Sequence, residues 1–349
     1  MTAPPGAGDP FEGWPAVLGT LSAGGDLDRA RARAVMAEIL DGAATPAQIA
    51  GFIVALRMKG ETVEELGGLV EAMLAAAERV ELAPGLDAVD IVGTGGDRVH
   101  TINVSTLAAL VVAGAGARVC KHGNRAASSS TGAADVLEAL GVRIDCGPEE
   151  VARCVAEAGI GFCFAPRFHP AMRHAGPPRR ELGIATAFNF LGPLANPAGV
   201  RRLMIGVADS SMSERMVGVL AARGSERVMV VHGDDGLDEL TVSTTSTVVE
   251  LRDGEVREYP VDPKELGIAP APTEALVGGD PATNAELARR VLAGDAGPHR
   301  DVVCLNAAAG LLVAGMVDDL ADGLQAARAA IDGGGAADAL DRLVAVSNG

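Results

Sequence analysis

The sequence predicts two bodies, a small all-helical domain followed by a larger α/β domain with a mostly parallel central sheet. Three observations predict it. The chain has 349 residues, and at about 150 residues per domain that length favours two cores of unequal size. Residues 14–80 show helical periodicity and no strand pattern. From Asp87 onward, β-branched runs alternate with helical stretches, which is the signature of a parallel sheet covered by helices. Apolar residues make up 48% of the chain and charged residues 21%, enough for a buried core and no case for global disorder.

Residues 1–13 read as a flexible tail. The first dozen are rich in Pro and Gly, carry acid rather than base and precede no apolar run, so they do not make a secretion signal. A helical domain is expected over 14–85, with a contribution from about 184–202. It opens with Trp14, Val17, Leu18 and Leu21 at the i, i+3, i+4, i+7 spacing of one helix face. Thr45-Pro46-Ala47-Gln48 supplies an N-cap, a first-turn proline and a capping-box glutamine, and Gly60 can stop the helix that follows. Thr62-Val63-Glu64-Glu65 repeats the capping box at once. Short helices bury little area alone, so these should pack on another domain and on a second subunit.

The α/β domain is expected over 86–349, with strands at 89–92, 118–120, 142–145, 161–164, 203–207 and 228–232. Asp253-Gly254 between 247–251 and 256–259 predicts a hairpin. Beyond Asn284 the pattern returns to helix. No internal repeat is visible, and low complexity is confined to the tail and the glycines at 333–335.

Charge and composition narrow the ligands. A formal net charge of −17 repels nucleic acid and anionic membrane, and 3% aromatic residues leave little stacking surface for single strands. The apolar runs at 107–117 and 307–317 stop short of the ~18 residues a membrane span needs. Cys120, Cys146, Cys154, Cys163 and Cys304 form no C-x-x-C pair and sit mostly in apolar stretches, which fits reduced thiols and a cytoplasmic location. A small-molecule ligand is expected. If it is a polyanion, its site must be assembled from local N–H groups, a few cations and a metal.

Four segments can supply such groups. Gly93-Thr94-Gly95-Gly96-Asp97 follows a strand, and Thr101 and Asn103-Val104-Ser105-Thr106 then open an apolar helix. A glycine turn alone serves equally as a plain βα connection, but hydroxyls at 101, 105 and 106 add anion donors and a potential metal ligand at a helix N-terminus. Lys121-His122-Gly123-Asn124-Arg125-Ala126-Ala127-Ser128-Ser129 follows the next strand. Parallel strands end on one sheet edge, so both loops can face one ligand. Lys121 is one of three lysines against 26 arginines, which suggests an ammonium kept as a point charge for phosphate.

The third segment runs from Ala165-Pro166 through His169 and His174 to Arg179-Arg180-Glu181 and Gly192-Pro193-Leu194-Ala195-Asn196-Pro197. The two histidines are five apart and lack an accompanying Cys or carboxylate, which speaks against zinc. The fourth is Asp238-Glu239, after His232-Gly233-Asp234-Asp235-Gly236-Leu237. Loop carboxylates hold magnesium with water and substrate phosphate completing the shell.

Taken together, these segments resemble the anthranilate phosphoribosyltransferases, whose hallmarks GTGGD, NxST, KHGNR, HPAMRH with RRELG, and GPLxNP occur here in order, within a match that runs from about Trp14 to the C-terminus. The resemblance implies a fold of the nucleoside phosphorylase and phosphoribosyltransferase type, a homodimer made through the helical domain, and phosphoribosyl pyrophosphate (PRPP) held with magnesium. It implies transfer of the phosphoribosyl group to anthranilate in tryptophan biosynthesis. PRPP contacts are implied for Gly93, Gly96, Asp97, Thr101, Asn103, Val104, Ser105, Thr106, Lys121, His122, Gly123, Asn124, Arg125, Ala126, Ala127, Ser128, Ser129 and Ala133. Anthranilate contacts are implied for Gly93, Asn124, Pro166, His169, Arg179 and Gly192, with Arg179 the carboxylate partner. A magnesium contact falls to Ser105, and the family's second magnesium position to Asp238 and Glu239. No acid–base residue is implied, and Asp97 and Lys121 act electrostatically.

Two positions depart from the pattern. Gly132-Ala133-Ala134-Asp135 stands where many members have a GSAD-like stretch, removing one hydroxyl at Ala133, and Ser130 stands where some have lysine. A pyrimidine nucleoside phosphorylase is the nearest rival, but its glycine loops differ from 121–125 and it lacks GPLxNP. A non-catalytic, nucleic-acid-binding relative is opposed by the acidic balance and by intact Asp97, Lys121 and Arg179.

Overall fold

The computed structural model describes residues 11–96, 99–126 and 130–349. Asp97, Ala127, Ser128 and Ser129, all expected at the PRPP site, lie outside the described residues. The chain divides into two compact units, one running to Ala77 and taking back His169–Ala195, the other comprising Glu78–Phe168 and Asn196–Gly349. The returning segment thus begins earlier than the expected 184–202.

The first unit holds α1 (Trp14–Ser22), α2 (Arg29–Leu40), α3 (Pro46–Lys59) and α4 (Val63–Ala75). Both capping boxes form. Gln48 N donates to Thr45 Oγ1 and Thr45 N to Gln48 Oε1, and Glu65 N donates to Thr62 Oγ1 and Thr62 N to Glu65 Oε2. Gly60, with φ of 90°, ends α3. Glu65 does more than cap: its buried carboxylate also accepts from Leu27 N and Lys59 Nζ, both at 2.9 Å, tying three chain segments together.

The second unit contains one seven-stranded sheet in the order β3-β2-β1-β4-β5-β6-β7. Its strands are β1 (Val89–Gly93), β2 (Val119–Gly123), β3 (Ile160–Phe164), β4 (Arg202–Gly206), β5 (Arg227–Gly233), β6 (Ser246–Arg252) and β7 (Glu255–Val261). The first five are parallel, and β6 and β7 continue antiparallel. Asp253 and Gly254, at φ of 54° and 81°, make the predicted hairpin turn.

After β1 comes α5 (Val104–Gly114), and after β2 come α6 (Ala133–Ala139) and α7 (Pro148–Glu157). With the long helix Pro298–Ala314 they cover an apolar core that includes Ile91, Leu107, Val119, Met204 and Leu305.

One expected strand is absent. Residues 142–145 form no strand but connect α6 to α7. Val142 and Ile144 are buried in the core, which accounts for the alternation. Among the described residues no strand lies alongside, and Arg143 N donates to Ser347 Oγ at 3.2 Å instead.

Close helix packing in the first unit sets a testable limit. A Cβ placed on Gly68 of α4 would lie 2.3 Å from Arg29 O and 2.8 Å from Arg33 N, both backbone atoms of α2. Gly68→Ala must force the helices apart, and it should cost ~1–3 kcal/mol of stability. A lowered thermal midpoint would show it, whereas an unchanged midpoint would mean the helices separate freely.

Candidate active site

The C-terminal ends of β1, β2 and β4 lie on one edge of the parallel sheet, and the chemistry-bearing residues of the second unit gather there. β1 leads into the turn at 94–96, where Gly95 and Gly96 take φ of 69° and 92°. Such values favour glycine because a Cβ would crowd the backbone. Thr94 N donates to Gly206 O of β4, which fixes the turn to the neighbouring strand.

The Asp238–Glu239 loop crosses this edge so closely that a Cβ on Gly206 would fall 1.6 Å from Asp238 O, and one on Gly93 would fall 2.4 Å from Asp238 Oδ2. Three further clamps hold the loop. Asn306 exchanges hydrogen bonds with Leu240 N and O, both at 2.9 Å. Asp235 Oδ2 accepts from the hydroxyls of Thr241, Ser243 and Thr273. Asp235 Oδ1 takes Leu237 N.

Asp238 Oδ2 then accepts from Gly95 N at 2.7 Å, and Glu239 Oε1 from Ser105 N at 3.2 Å. Ser105 and the pair Asp238–Glu239, implied by the resemblance as contacts of separate magnesium positions, are brought together across more than 130 residues of chain. The carboxylate at the start of α5 is favoured by the helix dipole.

That contact changes the picture of α5 as an open anion cradle. Ser105 N is occupied by Glu239, and Val104 N by Ile102 O. The hydroxyls of Ser105 and Thr106 are the donors left at this end, and Thr106 Oγ1 is buried without a hydrogen-bond partner. Asn103 does not cap the helix with its side chain. Its Nδ2 donates to Thr131 O and its Oδ1 accepts from Asn284 Nδ2, linking the start of α5 to the loop before α6. Thr101 pairs with Val277 in an isolated bridge.

Lys121, His122 and Gly123 belong to β2 itself and not to the loop after it. Lys121 is only 1% exposed. Its ammonium donates to Ile91 O and, at 3.3 Å, to Ser105 Oγ. The expected point charge is therefore a buried one, lying against Ser105 at the start of α5. His122 N donates to Asp90 Oδ1 at 3.1 Å.

Asn124 Oδ1 accepts from Arg125 N, and Ala134 N donates to Asn124 O. Arg125 is engaged by Asp135 and Glu138 at 2.8 and 2.9 Å and lies over the Phe164 ring. These carboxylates push its pKa up, that of Glu138 first. Asp135 Oδ2 takes Ala126 N and Gly132 N, closing the loop onto α6, where Ala133 is the first residue. Ser130 Oγ reaches Gly279 O at 3.0 Å, so the hydroxyl at this departure has an internal use.

The residues expected to bind the acceptor divide between the units. Pro166 follows β3, with Gly93 and Asn124 in the same unit, whereas His169, Arg179 and Gly192 belong to the helical unit. His169 is buried, its ring nitrogen Nε2 is 3.0 Å from Ala195 O, and burial lowers its pKa, which favours a neutral imidazole. It therefore joins the two ends of the segment 169–195. Arg179, in the helix Gly176–Leu182, stacks on Phe188 at 5.5 Å. Burial lowers its pKa, and among the described residues no carboxylate pairs with it. An arginine partly out of water with no internal counter-ion is suited to an anion from outside.

Known proteins resemble both units of the chain. Residues 15–77 match the glycosyl transferase family helical bundle domain, and residues 85–337 the a/b domain of the same family. The chain is thus a glycosyl transferase built of those two parts. It belongs to the anthranilate phosphoribosyltransferase family: it is 56% identical over 346 residues to the enzyme of Rhodococcus jostii (strain RHA1), covering 97% of this chain and 95% of that protein. The enzyme of Arthrobacter sp. (strain FB24) is 56% identical over 342 residues, covering 96% of each. Among solved structures, the Thermus thermophilus enzyme superposes with a TM-score of 0.89 at 43% identity, covering 95% of this chain and 99% of that one. The Saccharomyces cerevisiae enzyme, solved with PRPP and Mg, gives 0.87 at 27% identity, covering 96% and 98%.

Asp90 and Asn196 carry weight that the sequence reading did not assign. Asp90 is fully buried in β1, and Asn196 Nδ2 donates to its Oδ2 at 2.8 Å. An acid between apolar strand residues, Val89-Asp90-Ile91-Val92, was the available signal, because a buried carboxylate must be met by donors.

Burial raises the Asp90 carboxyl to about 6, against the pull of Lys121, Asn196 and the amides of His122 and Ile91. Burial also lowers Lys121, against Asp90, Glu239 and Asp238. Both partners are pushed toward neutrality, so desolvation outweighs their attraction. With a folded value above the ordinary 3.8, the stability contribution of Asp90 is full below 3.8 and lost as pH rises through about 6. Denaturant titrations from pH 4 to 7 should therefore show wild type losing stability relative to Asp90→Asn as pH rises. A constant difference would mean that Asp90 is not desolvated in this way.

Proposed function

We propose that this edge binds PRPP with magnesium and that Arg179 anchors anthranilate, so that the chain forms N-(5-phosphoribosyl)anthranilate and pyrophosphate in the tryptophan pathway. The observation that carries it is the convergence of Ser105, Asp238 and Glu239 beside the 93–96 turn. The donors are all oxygen, as a hard cation requires. Among the described residues no group of three or more His, Cys, Asp or Glu surrounds a metal position. Two carboxylates and a hydroxyl suit magnesium, which keeps sites open for water and substrate phosphate. The yeast structures with PRPP and Mg and with 4-fluoroanthranilate support the same assignment.

An aromatic amine is already a free nucleophile at neutral pH, so no general base is assigned. Catalysis rests on positioning and electrostatics. The 93–96 turn, the hydroxyls of Thr101, Ser105 and Thr106 and the 121–133 segment hold PRPP, with Lys121 acting from beneath through Ser105. Bound magnesium supplies the charge neutralisation that makes pyrophosphate a good leaving group. The bond from ribose C1 to pyrophosphate loosens toward an oxocarbenium-like centre as the amine approaches, with no covalent enzyme intermediate. Pro166, His169 and Gly192 shape the acceptor channel. A homodimer through the helical unit and a cytoplasmic location complete the reading. Five buried free cysteines support that location, and among the described residues no helix is long and apolar enough to cross a membrane.

Loss of anthranilate fluorescence with magnesium and PRPP is the assay. Asp238→Ala with Glu239→Ala should lower turnover more than about tenfold, since even groups behind metal ligands can cost that much. An unchanged magnesium requirement would move the metal elsewhere. Light scattering should give twice the 35.2 kDa chain mass at micromolar concentration, and a single-chain mass would remove the dimer. Arg179→Ala loses a charge-assisted hydrogen bond worth roughly 1.5–3 kcal/mol, about one to two decades in affinity. The KM for anthranilate should rise by that factor while the KM for PRPP stays within a few-fold. Equal damage to both substrates would mean that another group takes the carboxylate.

A further inference from the structure

β1 and β2 share a single registered pair, Val89 with Val119, whereas β1–β4, β2–β3 and β4–β5 each register five. Beyond that pair, side chains take the place of backbone partners. Asp90 Oδ1 accepts from His122 N at 3.1 Å, Asn196 Nδ2 donates to Cys120 O at 2.8 Å, and Lys121 Nζ donates to Ile91 O. The same Asn196 Nδ2 donates to Asp90 Oδ2, and Asn196 Oδ1 is fixed by Ala198 N at 2.9 Å. Side chains thus complete the joint between β1 and β2, and the Lys121 ammonium extends it to Ser105 Oγ.

From this juxtaposition we infer that Asp90 and Asn196 are positioning residues for phosphoribosyl transfer, acting through Lys121 on the hydroxyl of Ser105 and so on PRPP binding. Neither touches the proposed substrate site. A buried carboxylate and ammonium are costly compared with apolar side chains of the same volume. Here the residues on either side of Lys121 are held, His122 N by Asp90 and Cys120 O by Asn196, and its ammonium meets Ile91 O and Ser105 Oγ. Without those bonds, the stretch of β2 that carries Lys121 is no longer fixed beside β1, and its side chain is no longer kept against Ser105. Asn196 closes the GPLxNP segment, so this stretch serves the phosphate end of the site as well as the acceptor channel. The inference rests on the proposed PRPP reading of Ser105 and Lys121.

A double-mutant cycle tests it. PRPP affinity is measured by titration calorimetry with magnesium for wild type, Asp90→Asn, Lys121→Met and the double variant, beside thermal unfolding of each. Asp90→Asn and Lys121→Met should each weaken PRPP by about tenfold or more, and the double variant should be no weaker than Lys121→Met alone. The KM for anthranilate should change less than about threefold in Asp90→Asn, because the effect runs through Lys121. Unchanged PRPP affinity in Lys121→Met would defeat the PRPP reading itself. A weakened Lys121→Met combined with a silent Asp90→Asn, or with fully additive losses, would overturn the positioning role while leaving that reading intact. If Asp90→Asn does not fold, Asn196→Ala, which leaves both charges in place, is carried through the same cycle with the same criteria.

Discussion

A carboxylate removed from water in the middle of a parallel sheet has to be surrounded by donors. Asp90 gathers the amide of His122, the side chain of Asn196 and the charge of Lys121. Those partners come from β2 and from the start of the segment leading to β4, so satisfying one group ties β1 to both. Ordinary ladder pairing between β1 and β2 stops at Val89 and Val119. The strand ends are then joined by side chains instead, and the Lys121 ammonium comes to lie against Ser105 at the start of α5.

The opposite wall of the site is held by different means. Asp238 and Glu239 sit on a loop whose backbone is pressed against Gly206, pinned at Leu240 by Asn306 and stiffened by hydroxyls converging on Asp235. Two carboxylates near each other repel, and the anchoring of the loop keeps them together. Their free energy cost is offset by the amides of Gly95 and Ser105 and, from below, by Lys121. The site is therefore an arrangement of fixed opposite charges, in keeping with chemistry that asks for positioning more than proton transfer.

Local signals in the sequence were reliable where one residue type does one job. The Thr45 and Thr62 capping boxes, the Gly60 stop and the Asp253-Gly254 hairpin all depend on neighbours within a few positions. The alternation of strand and helix that marks the α/β domain was legible for the same reason. Tertiary circumstances were not. Residues 142–145 alternate like a strand but have no strand to pair with, and burial of Val142 and Ile144 produces the same pattern. Lys121 reads as part of the loop after β2 because nothing local reveals that the strand continues through Gly123. The grouping of Ser105 with Asp238 and Glu239 came from family resemblance; no spacing in one chain could have given it.

Whether metal and pyrophosphate share the edge made by the 93–96 turn, the start of α5 and the 238–239 loop decides the rest. A crystal structure of this protein grown with magnesium and PRPP tests it most directly. The predicted result is a metal bonded to at least one of Ser105, Asp238 and Glu239, with the pyrophosphate against the 93–96 turn. Metal and pyrophosphate bound to none of these residues would contradict it.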